Sequence, residues 1–97
     1  MLDRARVSPT YWPLYDYLAA QPGDRVTLRL AEVEAIVGAR LPPRAHGRQW
    51  WVNAHASLQG RAWLEAGWRA KLDTIRGREP IGTFVRAPAE DAPAGLP

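Results

Sequence analysis

The spacing of apolar side chains through residues 10–38 predicts a helix, a short strand and a second helix. The first helix is expected to begin near Pro13, a residue favoured in a first turn, and to end at Pro22-Gly23. Alternation of apolar and polar residues through 26–28 predicts the strand. Helical spacing then returns, with Gly38 placed to cap the second helix. The apolar positions of the two helices are Leu14, Tyr17, Leu18, Leu30, Val33, Ile36 and Val37.

The second half of the chain predicts a third helix followed by a β-hairpin. Leu41-Pro42-Pro43 is incompatible with helix, and periodicity assigns no element to residues 44–56. Ser57 is expected to cap a helix that runs to about Ala66. From Trp68 the period becomes two, so residues 68–73 and 81–86 are predicted strands joined by a basic loop. The buried face expected for the third helix consists of Leu58, Ala62, Trp63 and Ala66.

This order of elements predicts a small α+β domain with three helices, a short strand and a C-terminal β-hairpin. It is the element order of a winged helix, in which the first strand pairs with the hairpin and the third helix contacts DNA. Several other small α+β domains share part of the order. The domain is expected to span residues 10–87, between a flexible leader at 1–9 and a disordered Pro/Ala tail at 88–97.

Charge adds a candidate surface to this fold. The 97 residues carry a net charge of +3, and the acidic tail leaves +5 on residues 1–87. Residues 35–64 contain no Asp or Glu but include four arginines, two histidines and the pair Trp50-Trp51. Arginine suits bidentate contacts to phosphate and guanine, although a GC-rich genome would also favour it. The pattern predicts a surface for an anionic partner that can stack, and nucleic acid is the first candidate.

Two groups of side chains are candidates for this interface. Carboxamides can pair with adenine and an exposed indole can stack on a base, which selects Asn53, Gln59 and Trp50. The predicted phosphate contacts are Arg40, Arg44, Arg48, Arg61, Arg76 and Arg78.

Each candidate also has a structural interpretation. If Trp50 and Trp51 lie in an extended segment, one ring is core and the other more exposed, but a small domain with five tryptophans favours burial of both. Asn53 could close a turn with its own side chain. The arginines could simply form a solvated face.

Other classes of function find little support. The chain has no cysteine, and no acid lies in the segment containing His46 and His55, so no metal site or cofactor is predicted. No segment has the length of a signal peptide or membrane span, which predicts a cytoplasmic protein without a membrane partner. Ser8 and Ser57 are unconvincing nucleophiles and no phosphate-binding glycine loop is present, so the protein is not expected to be an enzyme.

Six short motifs stand out along the chain: Tyr11-Trp12-Pro13-Leu14-Tyr15-Asp16-Tyr17-Leu18, Val26-Thr27-Leu28, Glu32-Val33-Glu34-Ala35-Ile36-Val37-Gly38, Leu41-Pro42, Trp50-Trp51-Val52-Asn53 and Ala62-Trp63-Leu64-Glu65-Ala66-Gly67-Trp68. Together they resemble a family of small uncharacterised bacterial proteins, a domain of unknown function. The resemblance covers nearly all of residues 11–86 and implies no particular activity. Arg29 stands where the family usually has a capping serine, which is expected to weaken the second helix's N-cap by about 1 kcal/mol. Arg44 also replaces a serine and adds a base to the candidate surface.

The sequence therefore predicts a small DNA-binding protein, with a transcriptional or accessory regulatory role suggested by fold analogy alone. A homodimer is expected if the protein reads palindromic DNA. One alternative is a protein-interaction module built on exposed Trp and Arg side chains. Another is a small-ligand or modified-base pocket lined by Trp12, Trp50, Trp51 and Trp68.

Overall fold

The computed structural model describes residues 4–87 and contains the predicted helices and strands. The α-helices are α1 (Trp12–Ala19), α2 (Leu30–Val37) and α3 (Leu58–Glu65). The strands are β1 (Arg25–Arg29), β2 (Trp68–Asp73) and β3 (Ile81–Arg86). Short 3₁₀ helices lie at Arg4–Arg6, Pro9–Tyr11, Pro43–His46 and Arg48–Trp51. The α+β class predicted from the sequence is confirmed. The predicted tail lies outside the described residues.

The three strands form one antiparallel sheet in the order β1-β3-β2. The first strand pairs with the terminal hairpin, as predicted, with Thr27 opposite Thr83. Phe84 and Gly82 of the central strand face the helices, since Phe84 is fully buried and a tryptophan ring lies against Gly82. The outer face carries Ile81, Thr83 and Val85 of the same strand.

A cluster of aromatic rings fills the space between the sheet and α3. The rings of Trp51 and Trp63 are stacked with centroids 5.7 Å apart, and Phe84 packs against both. Trp50 meets the Trp51 ring edge-on at 5.1 Å. Trp50 and Trp51 are each only 3% exposed, so burial of both rings is confirmed. Both can point inward because they lie in a 3₁₀ helix, where neighbouring side chains do not alternate between opposite sides as they do in a strand.

Gly82 makes room for one of these rings. A Cβ atom at this position would lie 2.5 Å from Cη2 of Trp51, well inside van der Waals contact. The indole therefore occupies the space over the central strand that a side chain would otherwise fill. Its N–H donates to the carbonyl of Ala45 at 2.8 Å, so burial leaves no polar atom of the ring unsatisfied.

The ends of the helices follow the local sequence signals with one exception. Ser57 accepts a hydrogen bond from Gly60 N–H at 2.9 Å, and Gly38 adopts φ 81°, so both predicted caps are confirmed. Arg29 precedes α2 and its guanidinium has no acceptor for the helix N–H groups. Glu79, from the loop between β2 and β3, accepts from Ala31 N–H at 3.2 Å and supplies a missing cap.

Glu32 completes this helix start from inside the helix. Its carboxylate accepts from the backbone N–H of Arg29 at 2.8 Å, and the guanidinium of Arg29 lies 3.4 Å away. The backbone hydrogen bond, with the added help of the guanidinium, lowers the pKa of Glu32. The start of α2 is thus held by acids from two separate elements.

Two parts of the structure differ from the sequence predictions or extend them. Leu58 is 63% exposed, so its predicted burial is wrong. The residue of α3 that contacts the preceding connection is Gly60: a Cβ atom there would lie only 2.8 Å from the carbonyl oxygen of Val52. Residues 4–8 lie against α1, with Val7 3% exposed and its carbonyl accepting from the Trp12 indole at 2.8 Å. The predicted flexibility of residues 1–9 stays a prediction.

Trp63→Ala is expected to reduce the free energy of unfolding by about 3 to 5 kcal/mol, because it removes a fully buried ring from the centre of the aromatic cluster. Urea denaturation followed by far-UV circular dichroism measures the change. Leu58→Ala, in the same helix but exposed, is the control and should shift stability by no more than about 0.5 kcal/mol. A Trp63→Ala protein as stable as the wild type would contradict this core.

Glu79→Ala is expected to lower the free energy of unfolding by about 0.5 to 1 kcal/mol, through loss of the cap on Ala31 N–H. The same substitution should cost less in an Arg29→Ser background, because serine can cap the first turn itself. Chemical denaturation of the four proteins in this double-mutant cycle gives the coupling. Equal costs in both backgrounds would show that Glu79 does not act as the cap.

Candidate nucleic-acid interface

The connection between α2 and α3, residues 38–57, carries three of the predicted phosphate contacts on a well-anchored backbone. Leu41 N–H donates to the Glu34 carboxylate at 2.8 Å, and Ala45 is fully buried. Because Trp50 and Trp51 insert into the core, the backbone between these anchors is held against the domain. The exposed side chains of this connection include Arg40, Arg44 and Arg48.

Five of the predicted phosphate-binding arginines are exposed and form no ion pair with an acid among residues 4–87. They are Arg40, Arg44, Arg48, Arg76 and Arg78. Some other arginines are paired, as in Arg4 with Asp16 at 3.2 Å. The five predicted arginines without an acidic partner lie in two segments, the α2–α3 connection and the β2–β3 loop.

The acids near these two segments already have partners. Glu34 accepts from Leu41 N–H and Glu79 accepts from Ala31 N–H. Asp73 accepts from the hydroxyl of Thr83 at 2.7 Å, which is the main reason that its pKa is lowered. Asp73 also pairs with Lys71 at 3.5 Å. None of these three carboxylates forms an ion pair with any of the five arginines.

A shallow groove beside β2 borders the first of the two basic segments. It is lined by Arg48 from the connection and by Lys71 and Leu72 from the strand. The strand leads directly into the loop that carries Arg76 and Arg78. Sequence reasoning did not select Lys71, although the period of two already placed it on the polar side of the strand. Arg44 does not line this groove and lies near Tyr11. Burial raises the pKa of the Tyr11 hydroxyl, and the positive charge of Arg44 partly opposes this rise.

Asn53 is bonded at every polar atom of its side chain. Its Oδ1 accepts from Ala70 N–H at 2.7 Å and from the Trp63 indole N–H at 2.9 Å. Its Nδ2 donates to the carbonyl of Ala70 at 3.0 Å. The side chain is thus occupied by contacts to β2 and α3, neither closing a turn of its own nor presenting a free edge to a base.

Three other sequence-selected residues also hold the chain together. The ring of Trp50 is buried and offers no open face for stacking. Gln59 donates to the carbonyl of Trp50 at 2.9 Å, and Arg61 Nε donates to the carbonyl of His55 at 2.9 Å. The structure therefore separates the predicted site into five free arginines and four residues with structural contacts.

The four tryptophans of the alternative ligand pocket do not surround one space. Trp50 and Trp51 touch each other, whereas Trp68 is fully buried beneath the guanidinium of Arg86 and donates to the carbonyl of Leu18. Trp12 lies elsewhere, with Arg4 over its ring. Residues 4–87 thus form no cage from these rings.

The described residues provide neither a metal-binding cluster nor a membrane-spanning helix. Between residues 4 and 87, no group of three or more His, Asp or Glu side chains is arranged to hold a metal ion. In the same part of the chain, every helix is too short or too polar to cross a bilayer.

Asn53→Ala is expected to lower the free energy of unfolding by about 3 kcal/mol, because it leaves polar groups of Ala70 and Trp63 without partners. Hydrogen exchange of the Ala70 amide should accelerate more than that of other β2 amides. Gln59→Ala, which removes one hydrogen bond, is the comparison and should cost about 1 kcal/mol. An Asn53→Ala protein of unchanged stability that binds DNA more weakly would restore the base-contact interpretation.

Comparison with known proteins agrees with the resemblance seen in the sequence. Neither the curated proteins nor the solved structures include a match to this chain. The tandem-tryptophan motif as a family signature and a bacterial origin stay predictions. A family match extends over residues 11–86, nearly the whole described domain. The chain belongs to the family described as a domain of unknown function (DUF7662).

Proposed function

We propose that this protein binds nucleic acid, DNA in the first place, through the phosphate backbone. The observation that carries the proposal is the set of five exposed arginines without acidic partners among residues 4–87, in the α2–α3 connection and the β2–β3 loop. Arginine forms bidentate hydrogen bonds with phosphate oxygens, and each contact releases counterions from the polyanion. Lys71 lies beside Arg48 in the groove but is already paired with Asp73 at 3.5 Å.

The topology supports a winged-helix-like mode of binding. The order of elements and the strand order β1-β3-β2 agree with that fold. In this mode the β2–β3 loop, with Arg76 and Arg78, is the wing, and α3 lies toward the duplex. One departure is the connection at residues 38–57, which replaces a short turn by two 3₁₀ helices. Arg40, Arg44 and Arg48 would extend the contact surface beyond that of a bare helix-turn-helix.

Contacts to bases would contribute less to binding than contacts to phosphates. Asn53, Gln59 and Arg61 are engaged with the protein's own backbone, and Trp50 is buried. Binding would therefore depend little on sequence, with affinities typical of backbone contacts, a Kd of about 10⁻⁴ to 10⁻⁶ M at physiological salt. Such a protein would act by binding rather than by catalysis, as an accessory or regulatory component, and a homodimer would double its contacts.

A protein-interaction module is the second candidate, favoured by exposed apolar side chains at the start of α3. Leu58 is 63% exposed and Val52 is 42% exposed. The chain near Val52 lies against the first turn of α3, since its carbonyl is close to Gly60. Apolar contacts of this kind resist salt, whereas phosphate contacts weaken steeply, so salt dependence distinguishes the two candidates.

Duplex DNA binding should weaken with salt at a log-log slope of about −4.5 if all five arginines neutralise phosphates. Replacing Arg44 and Arg48 by Ala should flatten this slope by roughly two units and weaken binding to every sequence alike. Fluorescence anisotropy of labelled duplex and single-stranded DNA between 50 and 200 mM salt measures both effects.

The double variant Arg4→Ala, Arg25→Ala is the charge-matched control, since it removes two arginines outside the proposed interface. Its slope should equal that of the wild type. Thermal unfolding checks that both double variants remain folded. Unchanged affinity after loss of Arg44 and Arg48 would show that the proposed interface is wrong, and absence of binding at 50 mM salt would remove nucleic acid as the partner.

A further inference from the structure

The loop between β2 and β3, residues 74–80, carries an exposed apolar side chain next to two of the five arginines. Ile75 is 54% exposed and directly precedes Arg76, with Arg78 two residues further on. Both arginines are exposed and form no ion pair with an acid among residues 4–87. A single exposed isoleucine has no significance on its own, but this one shares a four-residue turn with two unpaired guanidinium groups.

The backbone at the tip of this loop forms a tight turn. Arg78 N–H donates to the carbonyl of Ile75 at 3.0 Å, which closes a β-turn of four residues. Gly77, the third residue of the turn, has φ 79°, a left-handed conformation that glycine adopts without strain. Ile75 and Arg78 are therefore the two ends of one turn, and a partner that contacts one end lies within reach of the other.

The base of the loop is attached to the rest of the domain. Glu79, the only acid among residues 74–80, accepts from Ala31 N–H at 3.2 Å and so ties the loop to the start of α2. Pro80, which has a restricted φ, leads from there into β3. Ile75 remains in solvent, where an apolar side chain adds little to the stability of the fold. The loop thus holds in place a side chain that the fold itself does not use.

An isoleucine beside two arginines matches one way in which proteins deform DNA. Some proteins that bind the minor groove insert an apolar side chain, isoleucine among them, between neighbouring base pairs, and this insertion kinks the duplex. Arginine is attracted to the strongly negative potential of a narrow minor groove. A wedge of this kind needs only one apolar side chain, whereas a protein interface is organised around a cluster of energetically important residues.

We propose that Ile75 is such a wedge. Its side chain inserts between two base pairs from the minor groove, while Arg76 and Arg78 contact the groove and the flanking phosphates. The inference rests on the proposed DNA binding and adds a preferred substrate, duplex DNA whose base stacking is already weakened. Insertion at such a site has less stacking to disrupt, so more of the binding energy is retained.

Fluorescence anisotropy and energy transfer test the proposal with the full chain and two end-labelled duplexes, one fully paired and one with two adjacent mismatches at its centre. Both duplexes have the same number of phosphates. The wild type should bind the mismatched duplex at least fivefold more tightly and increase energy transfer between the ends of the paired duplex. Ile75→Ser should bind the two duplexes within twofold of each other and leave energy transfer unchanged. Its salt slope should equal that of the wild type, because no charge is lost.

Val85→Ser is the matched control, since it replaces an exposed apolar residue on the outer face of the sheet, and it should behave as the wild type. Ile75→Leu keeps an apolar side chain of the same size and should retain both the preference and the bend. Salt-sensitive binding without a preference for the mismatched duplex would overturn the wedge and leave the proposed phosphate contacts standing. So would a preference and a bend that persist in Ile75→Ser. Absence of binding to both duplexes at 50 mM salt would overturn the proposed function and the wedge together.

Discussion

The rest of the structure depends on the carboxamide of Asn53. This one side chain joins the α2–α3 connection to the backbone of β2 at Ala70 and to the indole of Trp63 in α3. With its three hydrogen bonds formed, the connection is drawn across the sheet and Trp50 and Trp51 can enter the core. Without them, the two buried indoles would be attached to a connection held by two short 3₁₀ helices and a few local hydrogen bonds.

The same arrangement divides the polar residues of the connection into two groups. The Asn53 amide and the Trp51 indole, which make directional hydrogen bonds, are turned inward and stabilise the fold. Arginines, whose long side chains need little support from the backbone, remain outside. The sequence predicts a surface that combines Arg and Trp, but the fold buries the two tryptophans and leaves the arginines exposed. Arginines without exposed indoles are better suited to contacting a phosphate backbone than to stacking on bases.

Local signals explain why so much of the fold could be predicted from the sequence. Gly38 and Ser57 cap their helices through bonds within a few residues, and the period of two in β2 and β3 needs no knowledge of the neighbouring strands. The cap that Glu79 gives to Ala31 spans 48 residues, and the Asn53–Ala70 pairing spans 17. Such pairs leave no periodic trace in the sequence, so the roles of these two side chains could not be predicted.

For the candidate site, the sequence predicts which residue types are present but not how they are arranged. An acid-free stretch identified Arg40, Arg44 and Arg48, and the basic tip of the predicted hairpin identified Arg76 and Arg78. Their exposure and pairing depend on where distant acids lie, which is known only from the folded chain. The burial of Trp50 and Trp51 followed from a short 3₁₀ helix in a segment to which periodicity assigned no element.

The pairing of Asn53 with Ala70 also has a consequence for behaviour at high concentration. β2 is an edge strand, and the open N–H and C=O groups of such a strand can recruit a strand from another molecule and start aggregation. Here a side-chain amide satisfies both groups of the residue near the middle of that edge. On this edge a single carboxamide thereby takes the place of a neighbouring strand at Ala70 and opposes the addition of a further strand beside β2.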